Sequence, residues 1–171
     1  MPAVRNRVRT VWLAAFVTVL VAAGCGGGGK SKASATTTTA IPVDTACKLV
    51  STADATKLFG EPAQVSPDAS RSGGAASVCV YNVAGTSGQL LQFRIYTNDQ
   101  YYAQAEHSDA VELTGIGDRA FVSKNGPSGL VDFQFVKGHT VYSFAYSNLT
   151  SNAANEADAL VALGRQVAGA V

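Results

Sequence analysis

The sequence predicts an α+β domain in which helices near its start, middle and end pack on a mainly antiparallel β-sheet. Several segments alternate apolar and polar residues with the period of a half-buried strand. In the clearest single strand, Leu91, Phe93 and Ile95 alternate with Gln92 and Arg94. The last 20 or so residues instead repeat small apolar side chains at helical spacing, which predicts a helix that covers one face of the sheet.

Residues 1–24 are predicted to be a lipoprotein signal peptide that lies outside the fold. Three arginines precede an uncharged run, residues 11–24, which is shorter than the roughly 20 apolar residues of a membrane-spanning helix. The run ends in Val21-Ala22-Ala23-Gly24-Cys25, which resembles the lipobox of bacterial lipoproteins, although Ala22 stands where Leu or Val is usual. The resemblance implies cleavage before Cys25 and attachment of a diacylglycerol to its sulfur. An ordinary secretory signal and an uncleaved anchor are the alternatives.

Residues 25–41 are predicted to be the lipidated cysteine and a flexible low-complexity tether. From Gly26 to Ala40 the tether has no large apolar side chain, so it cannot bury enough surface to offset the entropy of ordering. Gly24 to Ser31 satisfies the P-loop formula G-x4-G-K-[ST]. A phosphate-binding loop needs a buried strand before it and a helix after it, and neither is predicted here. We therefore expect no nucleotide binding.

Residues 42–171 are predicted to be a single globular α+β domain. All 12 acidic residues lie beyond position 40 with only 8 of the 13 basic ones, so this part carries a net charge of −4. That balance disfavours nucleic-acid binding. The sequence has no C-x-x-C pair, and His107 and His139 lie in unrelated segments where each is predicted to be exposed. We expect neither a metal site nor a cofactor.

Cys47 and Cys79 are predicted to form a disulfide. Lipidation of Cys25 would leave these two cysteines as a pair in an oxidising compartment. The bond would close a loop of about 30 residues and contribute roughly 3 to 4 kcal/mol to stability. Two free buried thiols and half of a metal site are the alternatives. The disulfide would tie the first helix to a strand over residues 78–83.

The remaining elements follow from local signals. A short turn capped by Asp44 or Thr45 precedes a helix with Ser51 and Asp54 in a capping box, and Gly60 ends that helix. A middle helix is predicted from Asn98 or Asp99 through Ala105. A terminal helix is predicted from Ser151 or Asn152 to the end, with Gly164 packed closely against the sheet. Strands are predicted at residues 63–66, 78–83, 90–96, 110–114 and 119–123.

The strongest pattern is a hairpin, Leu130 to Val136 and His139 to Tyr146, joined at Lys137-Gly138. This loop pairs residues whose numbers sum to 275, so that Phe133 lies opposite Tyr142. One face then collects Val131, Phe133, Phe135, Tyr142, Phe144 and Tyr146, and the other collects Asp132, Gln134 and Ser143. The aromatic face is predicted to be core covered by helices, and an aromatic-lined pocket is the alternative.

A series of short motifs occurs in a fixed order along the domain. They are Cys47-Lys48-Leu49-Val50-Ser51-Thr52, Leu58-Phe59-Gly60, Cys79-Val80-Tyr81 and Gly115-Ile116-Gly117-Asp118-Arg119-Ala120. With the lipobox, the tether and the Ala-rich last helix, this order resembles the actinobacterial (mycobacterial-type) secreted lipoproteins of unknown function. The chain departs from that pattern in Val50, where a second Leu is usual, in Phe59 before the glycine, and in Tyr81, where Trp is common. The resemblance implies an envelope location and no known chemistry.

Gly115, Gly117 and Asp118 are predicted to form a structural turn. The motif also matches a G-x-G-x-x-A dinucleotide fingerprint, but it leads into a strand rather than a helix. Asp118 is expected to bind local amides, and Arg119 is expected to be solvated.

No activity is predicted from sequence motifs. The chain has no G-x-S-x-G nucleophile elbow and no evident pair of catalytic carboxylates. We expect a non-enzymatic binding or accessory module of the bacterial cell envelope, lipid-anchored on the extracytoplasmic face of the membrane, with a protein or an apolar ligand as its partner. A carrier of lipid or another apolar ligand and an envelope hydrolase with an unrecognised site are the alternatives.

Overall fold

The computed structural model describes residues 40–66, 73–85, 88–126, 130–149 and 153–171. The predicted signal peptide, Cys25 and nearly all of the predicted tether lie outside these ranges. In chain order the elements are α1 (Thr45–Leu49), α2 (Thr52–Phe59), β1 (Ala63–Val65), β2 (Ser77–Val83), β3 (Gln89–Tyr96), β4 (Val111–Glu112), β5 (Arg119–Gly126), β6 (Leu130–Lys137), β7 (Thr140–Asn148) and α3 (Ala157–Ala170). No helix among the described residues has both the length and the apolar character needed to cross a bilayer.

Helix α2 begins and ends where the sequence predicts. The Ser51 hydroxyl accepts a hydrogen bond from the Asp54 amide at 3.2 Å, and the Asp54 carboxylate accepts one from the Ser51 amide at 2.9 Å. This reciprocal capping box satisfies two amides that the first turn leaves without partners. At the other end Gly60 has a φ of 72°, a left-handed conformation that favours glycine.

The described strands form one seven-stranded sheet in the order β1-β2-β3-β7-β6-β5-β4. Every neighbouring pair is antiparallel. With helices packed on it, this sheet confirms the α+β class. Strands β3 and β4 are consecutive in the chain but lie four places apart in the sheet. The connection between them must therefore cross β7, β6 and β5.

One side of the sheet, which we call the first face, carries the core. Its strand residues pack with α1, α2 and α3, and all of the members are 9% exposed or less. The stacked rings of Phe93 and Phe144 lie 4.3 Å apart, and those of Phe135 and Tyr142 lie 4.6 Å apart. The strand members are Cys79, Tyr81, Val83, Leu91, Phe93, Ile95, Ala120, Val122, Val131, Phe133, Phe135, Tyr142, Phe144 and Tyr146. The aromatic stripe is therefore core and not a pocket.

The register predicted for the hairpin is wrong by two residues. Phe133 lies opposite Phe144, and Lys137 lies opposite Thr140, so the loop is Gly138-His139 rather than Lys137-Gly138. Gly138 has a φ of 63°, and a two-residue loop favours such a residue at its first position. Because side chains alternate with a period of two, a shift of two leaves every side chain on its predicted face.

The predicted middle helix is also wrong. The described chain there forms two single-turn 3₁₀ helices, Asp99–Tyr101 and Gln104–Glu106, separated by the extended Tyr102 and by Ala103. The Asn98 side chain does cap the first turn, as predicted. The Ala103 amide donates to Gln134 Oε1 on β6 at 3.0 Å, so contacts with the sheet replace the hydrogen bonds of a regular helix. We call residues 98–110, which cross the second face of the sheet, the cover segment.

Helix α3 packs on the first face, where Leu160 and Val167 are fully buried. Its predicted start at residues 151 or 152 lies outside the described residues, and the α-helix begins at Ala157 after a 3₁₀ turn, Ala153–Glu156. A Cβ placed on Gly164 would lie 1.9 Å from Cε1 of Phe133. The predicted close approach of Gly164 to the sheet is thus confirmed.

Candidate functional site

Cys47 and Cys79 form the predicted disulfide, with their Cα atoms 5.1 Å apart. The bond joins α1 to β2. The Ser77 hydroxyl reinforces this junction, because it accepts a hydrogen bond from the Ala46 amide at 2.9 Å and donates to the Val43 carbonyl at 2.7 Å. These contacts fasten the first helix where the described chain enters the domain. They are structural and bring no reactive side chain to the surface.

Gly115, Gly117 and Asp118 form a tight turn that leads into β5. The Asp118 amide donates to the Val136 carbonyl at 2.7 Å, and the Asp118 carboxylate accepts from the Gly138 amide at 2.7 Å. The expectation was a bond to local amides, but the Asp118 carboxylate accepts from an amide 20 residues away in the β6-β7 loop. Gly117 has a φ of 56°, and a Cβ there would lie 2.2 Å from the Val136 carbonyl oxygen. These residues support the hairpin loop.

The second face of the sheet carries an open cavity of about 480 Å³. It is lined by Tyr102, Gln104, His107, Ala110 and Arg119. Four of these residues belong to the cover segment, and Arg119 is the first residue of β5. The cavity therefore exists only because the chain crosses the sheet between β3 and β4.

Two hydrogen-bonded turns carry the cover-segment residues Gln104, His107 and Ala110. The His107 amide donates to the Gln104 carbonyl, and the Ala110 amide donates to the His107 carbonyl, both at 3.2 Å. His107 has an extended backbone, so it ends the 3₁₀ turn Gln104–Glu106 and begins a separate turn that closes at Ala110. These two turns hold Gln104, His107 and Ala110 at the cavity.

Tyr102 and Arg119 form the facing part of the lining. The guanidinium carbon of Arg119 lies 4.7 Å from the centre of the Tyr102 ring, within cation–π range. The edge of that ring meets the buried ring of Phe121 at 5.3 Å, and the His107 ring lies 5.4 Å from Phe121. Phe121 therefore supports both aromatic side chains of the cavity from below.

The lining presents mainly hydrogen-bond donors. The Tyr102 hydroxyl donates to Gln104 Oε1 at 3.1 Å, so the Gln104 amide nitrogen is left to donate. Burial raises the pKa of Tyr102, with the Arg119 charge acting in the opposite direction, and the hydroxyl keeps its proton at neutral pH. The ion pair between the Arg119 guanidinium and the Asp99 carboxylate is long, at 3.7 Å, and both side chains are about half exposed.

Polar groups continue from the cavity across the second face. Asp132 on β6 interacts electrostatically with His107 and with Arg94 on β3. The strand register places the small residue Ala145 beside Asp132 and Ser143 beside Arg94. Burial raises the pKa of Asp132, while His107 and Arg94 act to lower it. Within the described residues, the buried Nε of Arg94 has no hydrogen-bond partner.

A second cavity, of about 250 Å³, lies between α2 and α3. Leu58, Ala162 and Leu163 contribute apolar surface to it, and Asp54, Lys57 and Gln166 contribute polar groups. It lies over helices rather than over the sheet. Its lining brings together no imidazole, guanidinium or aromatic group.

The sequence did not identify the cavity residues as a site. His107 was expected to be exposed but is partly buried, whereas Arg119 is exposed, as expected, with its guanidinium over the Tyr102 ring. His139 is exposed, as expected. Within the part of the chain that the structure describes, no group of three or more His, Cys, Asp or Glu residues could hold a metal ion. The P-loop match at Gly24 to Ser31 lies outside that part.

Comparisons of this chain with protein-family profiles, with curated proteins and with solved structures found no match.

Proposed function

We propose that this chain is a lipid-anchored extracytoplasmic protein that acts as a non-catalytic binding module of the bacterial cell envelope. Its binding site is the cavity lined by Tyr102, Gln104, His107, Ala110 and Arg119. The observation that carries the proposal is this cavity, because the Tyr102 ring, the Arg119 guanidinium, the His107 imidazole and the Gln104 amide all line it. Ligand sites commonly combine such a concave surface with a few fixed polar groups.

The packing of the first face disfavours the carrier alternative. A carrier of apolar ligands needs free volume among apolar side chains. The aromatic side chains of the first face instead pack against one another and against the helices, with 9% exposure or less. The larger of the two cavities described lies on the opposite side of the sheet and has a polar lining.

The composition of the cavity disfavours catalysis. General acid–base chemistry needs groups within hydrogen-bond reach of each other and of the substrate. Among the described lining residues, His107 is the one imidazole, and no carboxylate or serine lines the cavity beside it. Binding requires only the fixed donors and the ring that are present.

The test is a ligand screen by thermal unfolding of the full chain with envelope glycans, peptides and lipids. A ligand at about 100 times its dissociation constant adds roughly 2.7 kcal/mol, which raises the unfolding temperature by several degrees. We expect the shift to vanish in Ala110→Trp, which fills the cavity. It should remain in Ala162→Trp, which fills the cavity between α2 and α3.

Two outcomes would overturn the proposal. One is a thermal shift that Ala110→Trp leaves unchanged, because the ligand would then bind elsewhere. The other is turnover of a ligand that is lost on replacing His107 by Gln, since a non-catalytic module converts nothing.

A further inference from the structure

We infer that the cavity on the second face takes a small organic carboxylate, with the guanidinium of Arg119 as its anchor and His107 and Gln104 as further donors. This inference rests on the proposed function and adds the chemical class of its ligand. The ligand class is defined by a carboxylate group on a small organic molecule. Both a sugar acid and the C-terminal carboxylate of a peptide have it.

Arg119 is oriented but only weakly occupied. The guanidinium carbon lies over the Tyr102 ring, 4.7 Å from its centre, and this cation–π contact leaves the guanidinium N–H groups free to donate. The contact with Asp99 is long, at 3.7 Å, and half exposed on both sides. Such exposed pairs contribute little to stability. A ligand carboxylate can accept two parallel N–H bonds from the same guanidinium.

The rest of the lining matches an acceptor and not a donor. The Tyr102 hydroxyl already occupies Gln104 Oε1, and the amide nitrogen of Gln104 remains as a donor. No carboxylate is among the described residues that line the cavity, and a ligand carboxylate on Arg119 would replace the 3.7 Å contact of that guanidinium with Asp99. A cationic ligand would meet the positive charge of Arg119 in the lining.

The size of the cavity indicates a small ligand with some apolar surface. Its volume of about 480 Å³ falls within the range of roughly 300 to 1,000 Å³ that is typical of small-molecule sites. Ala110 and the ring of Tyr102 supply the apolar contacts. A free inorganic anion would leave these contacts unused.

The experiment compares acids with neutral analogues of the same shape by saturation-transfer NMR on the full chain in detergent. One arm uses glucuronate against glucose, and the other uses N-acetylalanine against its amide. We expect the acid of at least one arm to bind about tenfold or more tightly than its neutral analogue, since hydrogen bonds to charged groups have that strength. The arm that binds distinguishes a sugar acid from a peptide terminus.

Variants then assign the contact to Arg119. Arg119→Gln should lose the preference for the acid, and Arg119→Lys should lose most of it because a lysine has no planar fork. Arg165→Gln removes an exposed arginine of α3 that does not line the cavity, and it should bind like the unmodified protein. His107→Gln provides a second lining variant if Arg119→Gln proves unstable, and it should weaken the acid and spare its neutral analogue.

The inference is overturned if neither acid binds, if the neutral analogues bind as tightly as the acids, or if the lining variants bind the acids like the unmodified protein. None of these results removes the proposed binding function. That function stands or fails on whether Ala110→Trp abolishes the thermal shift found in the wider screen.

Discussion

Gly164 shows how one missing side chain permits the packing of α3. Alanine is the better helix former by about 1 kcal/mol, but its Cβ would lie 1.9 Å from the ring of the fully buried Phe133. Overpacking of this kind costs about 1 to 3 kcal/mol, so we expect Gly164→Ala to destabilise the protein in urea unfolding. Gly169→Ala is the control, because nothing lies within 4 Å of that position, and it should stabilise slightly. Equal stabilisation by both would contradict the close approach.

Asp132 makes the stability of the folded protein depend on pH. Burial raises its pKa in the folded protein, so the folded state holds this proton more tightly than the unfolded state does. Protonation of Asp132 therefore stabilises the folded state. This stabilisation is complete below the unfolded pKa of about 3.9 and is lost as the pH rises through the folded pKa. We expect Asp132→Asn to unfold at a higher temperature than the unmodified protein at pH 7, and this difference should disappear below about pH 4.

The exposed Asp158 supplies the control for this measurement, since its side chain is 98% exposed. Asp158→Asn should change the unfolding temperature little at either pH. A less stable Asp132→Asn at pH 7 would show that the attraction of Arg94 and His107 outweighs the burial of the carboxylate.

Among the elements, α1 depends most on a covalent bond. It has five residues, which is too few for a helix to be stable by itself. Replacing Cys47 and Cys79 together by serine should lower the free energy of unfolding by roughly 3 to 4 kcal/mol, because the unfolded chain regains the entropy of an open loop. Guanidinium unfolding measures this loss. Ser77→Ala removes only the hydrogen bonds to Ala46 in α1 and to Val43 just before it, and it should cost about 1 kcal/mol. An equal loss in both variants would contradict the role of the disulfide.

The hairpin and the cover segment mark how far local patterns predict elements. Alternation assigned Phe133 and Asp132 to the correct faces, because the face depends only on whether the register is odd or even. It could not distinguish registers that differ by two, since the loop geometry at Gly138 decides between them. For the cover segment, local signals favoured a helix, and the distance across three strands together with the bond to Gln134 imposed short turns instead.

At the scale of the whole molecule, the two faces of one sheet have different roles. The first face is covered by helices at both ends of the domain, and the second face carries the cover segment and the proposed site.

The proposed attachment to the membrane precedes α1 in the chain. Replacing Cys25 by alanine should move the protein from the membrane fraction to the soluble fraction, as immunoblotting of fractionated cells can measure. Ser31→Ala in the tether should leave the fractions unchanged, and a processed Cys25→Ala protein that stays in the membrane would contradict the anchor.

The sequence by itself determined the α+β class, the limits and caps of α2, the faces of the strands and the pairing of Cys47 with Cys79. The first three depend on residues that are close in sequence or on alternation with a fixed period, so their causes can be found locally. The disulfide instead follows from the cysteine count, because lipidation of Cys25 would leave a single possible pair. Only the tertiary structure decided the strand order, the hairpin register and the cavity. Tyr102, His107 and Arg119 come together because β3 and β4 lie four places apart in the sheet, so the chain between them crosses the second face. The strand order cannot be predicted from local sequence patterns. The path of the cover segment across the sheet is stabilised by contacts between residues that are remote in sequence.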